Sequence, residues 1–201
     1  MRITLIRHTT LNIEPGICYG QTDVPVSANF SAELALLSPK LSDLNFDAIY
    51  TSPLQRCRHL AEALQPTLNL ENPLLNQDDR LKELHFGDWE MRAWDSIQRD
   101  VFDVWANDYA HLAPPNGETF NALQQRAKSF VVEVSRHSQN QHICVVTHGG
   151  LIRALVADAL ELPLKRLFRI QVDYASVTQL EFDFTETNAD NAVPKVHFIN
   201  R

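Results

Sequence analysis

His142-Ile143-Cys144-Val145-Val146-Thr147-His148-Gly149-Gly150 is an apolar, β-branched run that stops at a polar residue and passes into a turn. Such a run reads as a buried strand of an α/β sheet. A second run of the same kind, Ile3-Thr4-Leu5-Ile6, leads into Arg7-His8. In sheets of this class ligands collect beyond the carboxyl ends of the strands. Two such strands deliver one histidine each to that rim, so His8 and His148 are expected in one cleft although far apart in sequence.

Further strand signals lie at residues 46–51 and around 73–76, with helical patterns between them. Ser52-Pro53 is a good helix start, and Cys57, Leu60, Ala61 and Leu64 then form an apolar stripe at helical spacing. After Gly150, Leu151, Ile152, Leu155, Val156 and Ala159 make a largely buried helix. Residues 30–44 are helical in composition but should break at Pro39. Residues 120–137 carry another periodic pattern, after the turn-like Pro114-Pro115-Asn116-Gly117-Glu118. Thr178, Leu180, Phe182 and Phe184 alternate with polar residues, and Val196-His197-Phe198-Ile199 is also strand-like, with a polar turn at 186–192 between them. Alternation suggests an antiparallel edge with one solvated face. The expected architecture is a three-layer αβα sandwich in one domain over residues 1–201, with a mostly parallel sheet and an antiparallel edge strand. The stretch from about 91 to 115 holds Trp94, Phe102, Trp105 and Tyr109 among polar residues and is expected to form a small helical cap over the cleft.

The chain has 201 residues, 44% of them hydrophobic, and a net charge of -7. A nucleic-acid footprint is not expected, because phosphate-backbone binding needs clustered Lys and Arg. A few local arginines can still dominate the field inside a cleft. The odd cysteine count (Cys18, Cys57, Cys144), without a CxxC pair, fits a reducing compartment. The chain opens directly on a strand and no apolar run is long enough for a membrane span, so a cytoplasmic protein is expected. Exposed edges and aromatics leave a homodimer open.

The rim inventory points to an anion. Arg7 precedes His8, and Arg56 sits in the first turns of the helix opened by Ser52-Pro53. Gly149-Gly150 opens another helix, whose free N–H groups and dipole favour negative charge. A phosphoryl group suits this set, because its transition state spreads charge over three oxygens and is stabilised by positioned cations. Arg58 lies about 200° round the helix from Arg56, so only one of the two faces the cleft.

Four ordered motifs, LIRHTT, TSPLQRCRHLAEAL, RLKELHFGDWE and VVTHGGLIRAL, with a weaker fifth, PPNGETFNALQQR, cover nearly the whole chain. In this order they resemble the histidine phosphatases, which include the cofactor-dependent phosphoglycerate mutases. The resemblance implies that His8 is the nucleophile that becomes phosphohistidine. It makes Arg7 and Arg56 the phosphate clamp, His148 a donor to the transferred phosphoryl group, and Glu83 the proton donor. Gly149 and Asn12 become further phosphate contacts, and no metal or cofactor is needed. The chemistry agrees. A neutral imidazole is a competent nucleophile when its other nitrogen's proton is held, and arginine gives bidentate, always-charged contacts to phosphate oxygens. A carboxylic acid beside a phosphate dianion keeps its proton to higher pH and can protonate an alkoxide.

The chain departs from the family pattern in places. Thr9 and Thr10 follow His8 where the family usually reads glycine and an acidic residue, and Thr9 offers the anion a hydroxyl. The family's asparagine falls near Asn12 or Glu14, one residue of gap being needed before Gly20. Met91 stands where a glycine often follows Trp-Glu.

Within the family, PGICYGQTDVPVS resembles the α-ribazole-phosphate phosphatases of cobalamin synthesis, which implies α-ribazole 5′-phosphate as substrate, its base covered by the aromatic cap. The rival readings are a phosphoglycerate mutase-type phosphotransferase or broad-specificity phosphatase, a metal-dependent hydrolase built on His8 and His148, and a non-catalytic phosphate-binding module. Mutases of the family carry longer insertions and tails. The bland reading of Cys57 and Cys144 is core packing, that of Cys18 packing in a loop, and that of Asp78, Asp79, Asp88 and Glu90 surface solvation.

Overall fold

The computed structural model of the chain describes residues 1–137, 141–183 and 193–201. In chain order they form β1 (Arg2–Arg7), α1 (Phe30–Leu37), β2 (Asn45–Phe46), β3 (Ala48–Thr51), α2 (Gln55–Leu64), β4 (Asn69–Leu70), β5 (Leu75–Gln77), α3 (Arg99–Asn107), α4 (Phe120–His137), β6 (His142–Thr147), α5 (Gly149–Ala159), β7 (Val177–Asp183) and β8 (Val193–Phe198). Short 3-10 turns join several of them.

The main sheet runs β5-β3-β6-β1-β7-β8. Pairing is parallel from β5 to β1, then antiparallel for β1 with β7 and for β7 with β8. The antiparallel element is therefore a pair of strands at one end of the sheet. The expected turn at 186–192, and Phe184 before it, lie outside the described residues.

The β-strand period sends successive side chains to opposite faces. Ile3, Leu5, Ile143 and Val145 pack on one side with Phe120, Leu123 and Leu151 of α4 and α5. Ile6, Ile49, Cys144 and Val146 pack on the other with Leu37, Leu60 and Leu64 of α1 and α2. This makes the three layers. Pro39 ends α1 as expected, in a 3-10 turn over Ser38–Lys40.

The strand expected over residues 46–51 is broken at Asp47. Its N–H donates to the His142 carbonyl and its Oδ2 accepts from the His142 N–H, turning a corner between β2 and β3. β2 pairs instead with β4, a two-residue strand with no periodic signal. The stretch from 91 to 115 contains a 3-10 turn at Trp94–Ser96 and α3, whose Phe102 and Trp105 pack among Phe86, Trp89 and Trp94. Among the described residues no helix is long and apolar enough to cross a membrane.

Candidate active site

Sheet register assembles the site. Arg7 lies opposite Thr147 and Thr51 opposite Val146. The ladder runs one residue further on each side, with the His8 N–H donating to Thr147 and the Ser52 N–H to Val146. His8, His148 and Ser52 therefore stand at the carboxyl ends of three adjacent parallel strands, β1, β6 and β3. The two imidazoles are edge to face with centroids 5.2 Å apart, and both are fully buried.

His8 Nδ1 lies 2.8 Å from the Thr9 carbonyl. A carbonyl only accepts, so the proton sits on Nδ1 and Nε2 keeps its lone pair. Burial pushes the His8 pKa well below its ordinary 6.5, with Arg56 and Arg7 adding to the effect and the Thr9 carbonyl opposing it. The imidazole is neutral at pH 7, as a nitrogen nucleophile requires.

His148 is held differently. Arg56 Nε donates to its Nδ1 at 3.3 Å, and an arginine cannot accept. The single proton is then on Nε2, which donates to Ser52 Oγ at 2.8 Å. Burial lowers this pKa too, followed by Arg56 and His8. Sequence reasoning named Ser52 only as a helix start and did not place its hydroxyl on the second histidine, whose tautomer Arg56 sets.

Arg56 is the largest fully buried side chain among the described residues. Its NH1 donates to the Thr22 carbonyl at 2.9 Å and its NH2 to Gly20 at 2.6 Å. Arg58 is exposed and pairs loosely with Glu62, as its place on α2 implied. The Gly20–Thr22 loop is itself tied down by Glu90, whose Oε1 accepts from the Gln21 and Phe86 N–H groups and whose Oε2 accepts from Thr22. Glu90, read from sequence as surface solvation, thus positions the loop that holds Arg56.

Arg7 donates from NH1 to the Val172 carbonyl at 2.6 Å, and its guanidinium lies 3.7 Å over the Tyr174 ring. Its Nε is buried without a partner among the described residues, and so is Thr9 Oγ1. Tyr19 lies over Arg56 and its hydroxyl meets that of Tyr174 at 2.9 Å, so a tyrosine pair spans the two arginines.

Glu83 reaches the same place from a loop. Its Oε2 accepts from the Gly150 N–H at 3.0 Å, its Oε1 from Leu84 N–H at 2.9 Å. The carboxylate therefore occupies part of the α5 N-terminus that an anion was expected to use. Arg126 pins its backbone by donating to the carbonyls of Arg80, Lys82 and Glu83, with Glu118 gripping the other edge of the guanidinium. This accounts for the weak fifth motif, which supplies both Glu118 and Arg126.

Gly149 and Gly150 are required by close approach. A Cβ on Gly149 would stand 2.8 Å from Arg153 NH1 and 3.1 Å from Arg7 Nε, and one on Gly150 would collide with the Glu83 carboxylate. Asn12 is not brought in. It is exposed, and its backbone N–H donates to the Pro25 carbonyl. A pocket of about 210 Å³ opens from the site, with Arg7, Glu83 and Gly149 in its wall and Tyr19, Trp94 and Phe168 around it. Cys18 also lines it, buried, with its thiol pushed up to about 12 by burial. All three cysteines are free and buried. Among the described residues no group of three or more His, Cys, Asp or Glu side chains is placed to hold a metal ion.

Residues 3–191 match the family model of the histidine phosphatase superfamily (branch 1). The chain is 34% identical over 178 residues, 86% of each chain, to the adenosylcobalamin/α-ribazole phosphatase of Escherichia coli K12. Its fold matches the crystal structure of the α-ribazole phosphatase from Shigella flexneri with a TM-score of 0.83 at 28% identity, covering 100% of this chain and 96% of that one. A mycobacterial glucosyl-3-phosphoglycerate phosphatase matches with a TM-score of 0.86 at 25% identity, over 99% and 98% of the two chains.

Proposed function

This chain belongs to the histidine phosphatase superfamily (branch 1) and is a phosphoric monoester hydrolase, and from that premise we propose that it hydrolyses α-ribazole 5′-phosphate through a phosphohistidine on His8. The observation that carries the chemistry is the His8 tautomer. A proton held at Nδ1 by Thr9 leaves a lone pair at Nε2, in a site where the buried Nε–H of Arg7 has no partner among the described residues.

In this reading His8 Nε2 attacks phosphorus and the ester P–O bond breaks. Arg7 and Arg56 hold the equatorial oxygens, and the orphaned Arg7 Nε and Thr9 Oγ1 gain acceptors there. An unpartnered buried donor costs about 1–3 kcal/mol, which an oxygen-rich ligand relieves. Glu83 delivers its proton to the departing alkoxide. Water then attacks the phosphohistidine, Glu83 takes its proton, and phosphate leaves with His8 neutral again. Positioned acid–base catalysis of this kind is worth roughly 100- to 10,000-fold. His148 acts first by orienting Arg56. It donates to the phosphoryl group only once the Arg56 contact at Nδ1 gives way and a second proton sits there, which a nearby dianion favours. Asn12 takes no part.

The substrate assignment rests on the α-ribazole phosphatase relatives and on the aromatic wall supplied by Tyr19, Trp94 and Phe168. Residues 91–115 serve this single domain as the cover of the leaving group. The setting is cytoplasmic, with free thiols, and no metal or cofactor enters. A panel of α-ribazole 5′-phosphate, 3-phosphoglycerate, sugar phosphates, nucleotides and a phosphotyrosine peptide tests it, each with and without EDTA. The expected result is a preference of about tenfold or more for α-ribazole 5′-phosphate, insensitive to chelator. Turnover of generic aryl phosphates alone, or loss of activity with EDTA, contradicts it.

A further inference from the structure

Arg153 has no role in the chemistry above, yet its side chain stands in the pocket. It lies four residues after Gly149 on α5, so the two share a helix face. Arg153 Nε is anchored on the Ile170 carbonyl at 2.8 Å, which fixes the plane of the guanidinium. Neither terminal nitrogen meets an acceptor among the described residues, and the group lines the pocket together with Glu83.

Its neighbour is another cation. A point over the Gly149 Cα is 2.8 Å from Arg153 NH1 and 3.1 Å from Arg7 Nε, so the two guanidinium groups converge on one spot. Like charges are brought together here at a cost, and burial with Arg7 holds the Arg153 pKa below its ordinary value. Glu83 and Asp173 offset part of that charge, but Glu83 is bonded to Gly150 and Leu84, and Asp173 is exposed. The free edge of Arg153 thus faces a space where an oxygen acceptor belongs.

The position of that acceptor follows from Glu83. A proton donor must touch the oxygen of the departing alcohol, so the alcohol extends from Glu83 into the pocket where Arg153 waits. We infer that Arg153 is a specificity-determining residue that donates from its terminal nitrogens to oxygen acceptors on the leaving alcohol, the ribose hydroxyls in the ester proposed above. Phe168, half exposed beside it with the guanidinium 5.9 Å over its ring, covers the apolar remainder. The inference rests on the phosphomonoesterase reading but not on the identity of the base.

The test compares kcat/KM of wild type and Arg153→Met on α-ribazole 5′-phosphate, its 2′,3′-dideoxy counterpart, O-phospho-L-serine and phenyl phosphate. The ribose ester should exceed its dideoxy counterpart by about ten- to hundredfold in the wild type, the worth of a hydrogen bond from a charged group. Arg153→Met should collapse that ratio toward one. Its loss on the ribose ester should exceed its loss on phenyl phosphate by about the same factor. Equal losses on all four esters, or a ratio that survives the substitution, overturns the inference and leaves the hydrolase intact. A wild-type preference for phosphoserine that Arg153→Met removes keeps an oxygen-reading Arg153 but overturns the ribose assignment. Should Arg153→Met fail to fold, the wild-type ratio and its fall in Arg153→Lys, which keeps charge but not the planar fork, read the same contact.

Discussion

Gly149 is kept free of a side chain by the two guanidinium groups that close over it. Alanine there must displace Arg153 or Arg7, since no backbone freedom is at stake. Misplacing a positioned group by about 1 Å can cost roughly a hundredfold. Gly149→Ala should therefore lower kcat/KM about ten- to hundredfold while changing Tm little, and steady-state kinetics beside thermal melts will show it. A variant that keeps wild-type turnover would mean that Arg7 is not held where the chemistry needs it. Single residues were unevenly legible. His8, His148, Arg7 and Arg56 sit in motifs beside strand ends and helix starts, where sequence speaks clearly. Arg153, four residues on in the same motif, was not singled out, although its helical spacing from Gly149 is a signal that could have found it. Tyr174 carried none, because its partner Tyr19 is 155 residues away.

At the level of elements, the loop from Gly20 to Thr22 matters as much as any helix. Glu90 collects the N–H groups of Gln21, Thr22 and Phe86 and the Thr22 hydroxyl. Glu90→Ala strands those donors and frees the carbonyls that hold Arg56. It should cost about 2–4 kcal/mol, a Tm drop of roughly 5–15 °C, together with a fall in kcat/KM. An unchanged melting point would contradict this role. Met91, directly after it, has φ of 61°, the left-handed region where the family pattern has glycine. Left-handed non-glycine backbone costs about 1–3 kcal/mol, against roughly 0.5–1 for the entropy of glycine. Met91→Gly should therefore raise stability by about 1 kcal/mol or leave it level, and a clear loss in a denaturant titration would refute the strain. The departure at Met91 was visible in sequence and its backbone meaning follows from φ. The break at Asp47 and the strand β4 were not visible. Both depend on where His142 and Phe46 arrive in three dimensions, and a two-residue strand has no period to read.

Among the described residues the molecule holds three imidazoles in neutral form, His8 and His148 fully buried and His142 partly so. Burial is the largest cause for His8, His148 and His142, and holds all three below the ordinary 6.5, His142 down to about 4. The unfolded chain protonates these groups as pH falls through about 6.5, whereas the folded chain resists until lower pH. The unfolded state then binds more protons, so stability falls as pH drops below about 6.5, by at most about 1.4 kcal/mol per pH unit for each group. Melting curves in a non-phosphate buffer should slide downward between pH 7 and 5. A flat profile would mean that the imidazoles take up protons in the folded chain as readily as in the unfolded one. The layered sheet was legible because β1 and β6 are uninterrupted apolar runs, and their register alone then fixed the meeting of His8 and His148. That Asn12 would be exposed, with its backbone N–H on the Pro25 carbonyl, was not legible, because that pairing is set by the fold of the loop and not by a local motif.

The most direct measurement is rapid quench with substrate labelled in the phosphoryl group. A protein-bound label that is acid-labile and alkali-stable, mapping to His8 and absent from His8→Ala, is the predicted result. No such adduct during turnover, with His8→Ala hydrolysing at the wild-type rate, would contradict it.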